Sequence, residues 1–297
     1  MKTILELGKR LLPKGIFANN PENRTPAPDK GTQILLSLKY KELLHHGMPL
    51  PRFDEVGFRI FSDNDEDGIL LYIFSLISTK NKTVVDIGSG GIQGSNSANL
   101  IISHGWNGLL IDGNPNAVQE LRNYFSGCID TQQYPPKIIR ARVTKDNINN
   151  LIEENGISGE IDLLLIDIDG IDYWIWQAVE CISPRVVVVE YQDILGPDKA
   201  LTIPYRPDFQ HLDFEVNQEQ FLYVGASLPA FMKLGKEKGY RLVGCNKYGY
   251  NAFFIRRDLG SKYLPAVPAH SCFTHPWNQF GIQNLYPKVK DMDWVEV

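Results

Sequence analysis

Cysteine is scarce in this chain. The 297 residues hold four, Cys128, Cys181, Cys245 and Cys272, far apart and with no CxxC pair. That spacing argues against a zinc knuckle and a disulfide framework, and a reducing, cytoplasmic setting is the simplest one for it. Positive charge is not in excess either. Thirty Lys and Arg stand against 35 Asp and Glu, a formal net charge of −5. Binding to a phosphate backbone calls for a basic surface, so no nucleic-acid partner is expected. Long apolar runs are missing too: no window approaches the roughly 20 apolar residues of a transmembrane segment. MKTILELGKRLLPKG mixes charge and apolar side chains too closely for a signal-peptide core. Residues 3–12 read instead as an amphipathic helix that packs on the protein itself or on a second subunit, which makes a homo-oligomer one candidate assembly.

What the chain does have is apolar material, 43% of its residues, enough for a large core. Residues 1–60 read as a helical extension and linker, with a Pro- and Asn-rich tether at 13–32 and a helical pattern in QILLSLKYKELLHHG. Asp65 or Asp67 is placed to cap the next helix, whose apolar residues Ile69, Leu70, Ile73, Phe74 and Ile77 follow helical spacing. From residue 83 short apolar strands alternate with helices: TVVDIG, GLLIDGN, KIIRARV, IDLLLID and RVVVVEY, separated by helical stretches. Continuous apolar strands in such a series mean a parallel sheet covered on both faces. RLVGCNK and NAFFIRR are joined by so short a turn, at Tyr248-Gly249, that they must be antiparallel neighbours. The main domain is thus expected over 61–257, with a long loop at 191–225 that reads as a substrate loop. The tail, 258–297, is expected to wrap the body or a partner.

The turn after the first strand, DIGSGGIQGSN, places Asp86 just before Gly88, Gly90 and Gly91. In an open parallel sheet the ligand sits beyond the carboxyl ends of the strands, and glycine lets it approach the backbone. A nicotinamide-dependent oxidoreductase with a GxGxxG loop is one reading of this turn. The acid ahead of the glycines and the closing antiparallel strand point elsewhere. Together they resemble the class I S-adenosylmethionine-dependent methyltransferases, over roughly residues 60–257. The resemblance implies a Rossmann-like, mostly parallel seven-stranded sheet with an antiparallel last strand. It also implies a cofactor held by Asp86, Gly88, Ser89, Gly90, Asn96, Asp112, Gly113 and Asp167, with Asp112 on the ribose hydroxyls. More narrowly, EDGILLYIF, GWNGLLIDGN, LLIDIDGIDYWIW and VVVVEYQ resemble the FkbM-like branch. That branch implies O-methylation in surface-glycan or natural-product pathways, and hence a small-molecule or glycan acceptor.

Methyl transfer to oxygen needs the hydroxyl proton removed by a base or by a metal that acidifies it. Asp167 and Asp169 follow the fourth strand and Glu190 ends the fifth, so all three are catalytic candidates. The same three suit Mg²⁺, which takes oxygen ligands. Turn or helix capping is the plain alternative for Asp169 and Asp172. His211 is the base candidate of a metal-free mechanism. Tyr173, Tyr205 and Arg206 are substrate-binding candidates, while Trp174 and Trp176 follow the spacing of core residues. A non-catalytic member of a glycan assembly complex is a further reading. A base-amine methyltransferase is the weakest one, since DIDG stands where NPPY-like motifs occur.

Overall fold

The structure is a computed structural model and describes residues 27–211 and 217–297. The amphipathic stretch at 3–12 and most of the tether lie outside the described residues. The β-branched and leucine runs form β1 (Thr83–Ile87), β2 (Asn107–Asp112), β3 (Lys137–Arg140), β4 (Gly159–Ile166) and β5 (Ile182–Glu190). After the short β6 (Leu201–Thr202) come the hairpin strands β7 (Tyr240–Cys245) and β8 (Asn251–Arg256), and near the end β9 (Val295–Glu296). Seven of them make one sheet in the order β3-β2-β1-β4-β5-β8-β7. β1 to β5 pair in parallel, whereas β8 runs antiparallel to both β5 and β7. The fold is a Rossmann-like, mostly parallel seven-stranded sheet with one antiparallel strand. β6 and β9 make a separate two-stranded ladder.

Among the described residues the α-helices are α1 (Lys30–His45), α2 (Glu66–Ile77), α3 (Ala98–His104), α4 (Pro115–Gly127), α5 (Ile148–Glu153), α6 (Asp172–Ala178), α7 (Gln218–Leu222), α8 (Leu228–Glu237), α9 (Pro276–Asn284) and α10 (Tyr286–Val289). Their ends follow local chemistry. Asp29 caps α1 through a 2.7 Å bond from the Thr32 amide, Pro115 opens α4, and Gly105 ends α3 in the left-handed region. α2 differs from expectation at its start. Asp65 holds the N-cap position, but its side chain accepts from the Lys247 amide rather than from the first turn, and Asp67 collects the amides of Ile60, Phe61 and Ser62. α6 stops earlier than its apolar pattern suggests, because β5 already begins at Ile182.

Alternation along the strands builds a core on each face of the sheet. Val85, Ile87, Leu164, Ile166, Val187 and Val189 face one layer, and Val84, Leu163, Leu165, Val186 and Val188 face the other. The first layer centres on Trp176, fully buried against Phe254 at 5.0 Å and Phe231 at 6.1 Å. Truncating such a residue to alanine costs about 3–5 kcal/mol. The second layer receives α2, whose residues are buried all round. The tail packs back on the body: Asn278 Nδ2 donates to Asp193 and to the Tyr248 carbonyl, and the Val297 amide to the Ala200 carbonyl. No helix among the described residues is long and apolar enough to cross a membrane.

Candidate active site

The turn after β1 leaves the sheet with Gly88 at φ +81° and Gly90 at φ +58°. Gly88 is required by crowding as well as by its dihedral. A Cβ there would stand 1.8 Å from the carbonyl oxygen of Asp167, so the ends of β1 and β4 meet backbone to backbone. Two cavities join at Gly88. The smaller, of about 20 Å³, is walled by Asp86, Ser89, Asn96, Asp167 and Asn251 among others. The larger, of about 160 Å³, runs past Asp112, Gly113, Val143, Ile171 and Phe209.

Among the residues expected at a cofactor, Asp86, Gly88, Ser89, Asn96, Asp112, Gly113 and Asp167 all line one cavity or the other. Gly90 lies beside them, and its amide donates to Asp112 at 2.8 Å. Asp112 also accepts from the Asn114 amide, so it braces the turn while keeping further lone pairs for a ligand. Asp86 is buried, and burial pushes its carboxyl up to about 7, against the opposing hydrogen bond from Ser97. Ser89 Oγ and Asn96 Oδ1 are buried without a hydrogen-bond partner. Orphaned polar atoms are rare in native interiors, and these two belong to residues on the wall of the small cavity. The site therefore has the vacant polar contacts that a cofactor with donors and acceptors would satisfy.

The carboxyl ends of β4 and β5 bring together the acids seen in the sequence. Asp167, Asp169 and Glu190 each present an oxygen within 4.8 Å of the others. Asp167 and Glu190 stand side by side, and two buried carboxylates that close are costly to ionise together. Burial raises both well above the ordinary carboxylate range, and the neighbouring acids push them further. Asp169 is exposed and sits in the left-handed region at φ +53°. Asp172 is the first residue of α6 and ties the preceding turn, accepting from the amides of Ile168 and Gly170.

The loop after β6 closes over the larger cavity. Arg142, which sequence reasoning missed, donates to the carbonyls of Pro207 and Phe209 and so anchors this loop to the end of β3. The Phe209 ring lies so near Gly170 that a Cβ there would meet it at 2.5 Å. Tyr205 stands under Lys145, 4.4 Å from its ring centre, and edge-on to Trp174. Arg206 is exposed on the same loop. His211 Nδ1 lies 3.6 Å from Asp169, and its Nε2 lies 3.2 Å from the Phe221 carbonyl. Tyr173 does not line either of these cavities and is buried in the core beside Trp174 and Phe231. The face of α6 it occupies turns inward, which helical spacing alone leaves open. Asn251 was also missed, since nothing in NAFF marks a strand start as part of a cavity.

No protein-family model matches the chain, and no curated protein matches it. Solved structures to which it is similar include methyltransferases. They include an S-adenosylmethionine-dependent methyltransferase from Clostridium acetobutylicum ATCC 824, 12% identical with a TM-score of 0.39, over 75% of this chain and 98% of that one. The magnesium protoporphyrin IX methyltransferase of Synechocystis PCC 6803 with bound SAM is 11% identical with a TM-score of 0.38, over 78% and 100%. The mitomycin 7-O-methyltransferase MmcR is 15% identical with a TM-score of 0.36, over 77% and 73%. At these values the likeness bears on neither substrate nor mechanism.

Proposed function

We propose that the chain is an S-adenosylmethionine-dependent methyltransferase that methylates a hydroxyl of a sugar, a surface glycan or a natural-product small molecule. The observation that carries this reading is the pair of cavities meeting at Gly88. Acids stand at three strand ends around them, and two orphaned polar atoms belong to the smaller. Asp112 and Gly113 would hold the ribose, Val143 and Ile171 would flank the base, and Asp86 with Asn96 would hold the amino-acid end. When bound, the cofactor supplies an electrophilic methyl group. Asp167 would take the acceptor's proton, with Glu190 holding its carboxyl in position. A raised carboxyl is a better base near neutral pH than an ordinary one. The Arg142-anchored loop would exclude water from the larger cavity, with Tyr205 and Arg206 on the acceptor side. The narrower FkbM-like resemblance belongs to the same reading.

A metal version rests on the same acids. Mg²⁺ held by Asp167, Asp169 and Glu190 would relieve the repulsion among them and acidify the hydroxyl directly. Removal of activity by a chelator and its return with Mg²⁺ would select this version. Calorimetry separates the cofactor reading from its rival. S-adenosylhomocysteine should bind and NAD(P)H should not, and the reverse result sinks the proposal.

A further inference from the structure

The small cavity is rich in acceptors. Asp86 and Asp167 stand on its wall, and the two atoms without protein partners there are Ser89 Oγ and Asn96 Oδ1. Asn251 completes the polar wall. It is the first residue of β8, 8% exposed, and lies across from Glu190 in the antiparallel ladder. An amide can face either way, and its neighbours decide which. Here Nδ2 donates to Glu66 at 2.9 Å, and the same Glu66 oxygen accepts from Asn246 Nδ2 at 2.7 Å. The other Glu66 oxygen accepts from the Asn64 amide. Glu66 is 1% exposed, so its carboxylate cannot turn to water instead. Asn246 in turn accepts from the amides of Gly249, Tyr250 and Asn251, which fixes the hairpin turn. With its NH₂ group bound to Glu66, Asn251 offers its carbonyl oxygen to the cavity.

We propose that Asn251 is a cofactor-binding residue, accepting a hydrogen bond from the ammonium group of the cofactor's amino-acid end, and that Glu66 is the positioning residue that aims its amide. This rests on the cofactor assignment above. A space of about 20 Å³ admits a group near the size of one water. An ammonium fits that room and a sugar does not. Its three N–H donors also match an acceptor-rich wall. Glu66 reaches the site from α2, so the segment preceding the sheet takes part in ligand binding.

The test compares two ligands by calorimetry. S-adenosylhomocysteine carries the ammonium, while 5′-methylthioadenosine has the same nucleoside and sulfur without it. Asn251→Leu should raise the Kd for S-adenosylhomocysteine about tenfold or more and leave methylthioadenosine within about twofold. If the leucine variant fails to fold, Asn251→Val takes its place, since a β-branched residue suits a strand. Glu66→Leu should show the same split, and Glu66→Gln, which keeps an acceptor oxygen, should restore most of the affinity. Equal losses for both ligands would mean a purely structural role and overturn the inference, as would unchanged S-adenosylhomocysteine binding in Asn251→Leu. Wild-type protein that binds neither ligand overturns the cofactor reading itself and the inference with it.

Discussion

Asp162 lies near the start of strand β4 and Asp167 follows directly on its end, and the two carboxylates are treated in opposite ways. Asp162, wholly buried, receives Arg185 at 2.8 Å and the amides of Lys80, Asn81 and Lys82 at 2.7 to 2.8 Å. Arg185 itself donates to the carbonyls of Ile77 and Ser78, so this end of the sheet is a closed network. Asp167, at the other end, is surrounded by charge of its own sign from Asp169, Asp172 and Asp86. A satisfied buried carboxylate is what folding alone produces. A crowd of acids kept at a strand end costs stability and points to a ligand that relieves it.

The contrast can be broken at either end. Asp162→Ala leaves Arg185 buried without its acid and should cost about 3–5 kcal/mol, read from the urea midpoint, with S-adenosylhomocysteine affinity retained in the folded fraction. Asp167→Asn should do the opposite. We expect its stability to stay within about 1 kcal/mol of wild type, since substitutions that break no satisfied network are mild. Its methyl transfer to a panel of sugar and phenol acceptors should fall roughly a hundredfold or more. A large loss of stability in Asp167→Asn would erase the distinction between the two ends.

A pH series sharpens the same point. Burial holds the Asp86 carboxyl up at about 7, with Ser97 opposing and Asp112 adding to the rise. An acid raised on folding stabilises the fold fully below its unfolded value of about 4. That contribution is lost as pH climbs through the folded value. Stability should therefore fall between about pH 4 and pH 7, and Asp86→Asn should flatten that slope in urea melts taken at stepped pH. The smallest effect is expected at the rim. Arg142→Ala removes two exposed hydrogen bonds to the loop at 207–209 and should weaken S-adenosylhomocysteine binding only about two- to tenfold, with little change in melting.

Much of this was legible because it is local. Glycine stops and continuous apolar strands mark out the parallel series; the acids Asp86 and Asp112 belong to the strands that place them, and Asp167 follows directly on its own. The residues that escaped are brought in from elsewhere in the chain. Arg142 matters only because the loop after β6 returns to β3, and Asn251 only because β8 lies beside β5. β6 and β9 are two residues each, too short for any period to show. The stretch at 191–225 read as structureless for the same reason, although it holds β6 and α7. Tyr173 is a different case: its spacing placed it on a helix, but spacing does not say which face meets the core.

The ladder of Leu201–Thr202 with Val295–Glu296 ties the middle of the chain to its far end. Contacts so distant in sequence are reached late in folding, after the sheet that they embellish. They are also candidates for the first reversible opening, since two paired residues resist little. On the proposed function, the acceptor side of the cleft would then come apart as a unit of its own, with its amides exchanging with solvent while those of β1 and β4 stay protected. Recognition of the acceptor and retention of the cofactor would thus have separate stabilities within one domain.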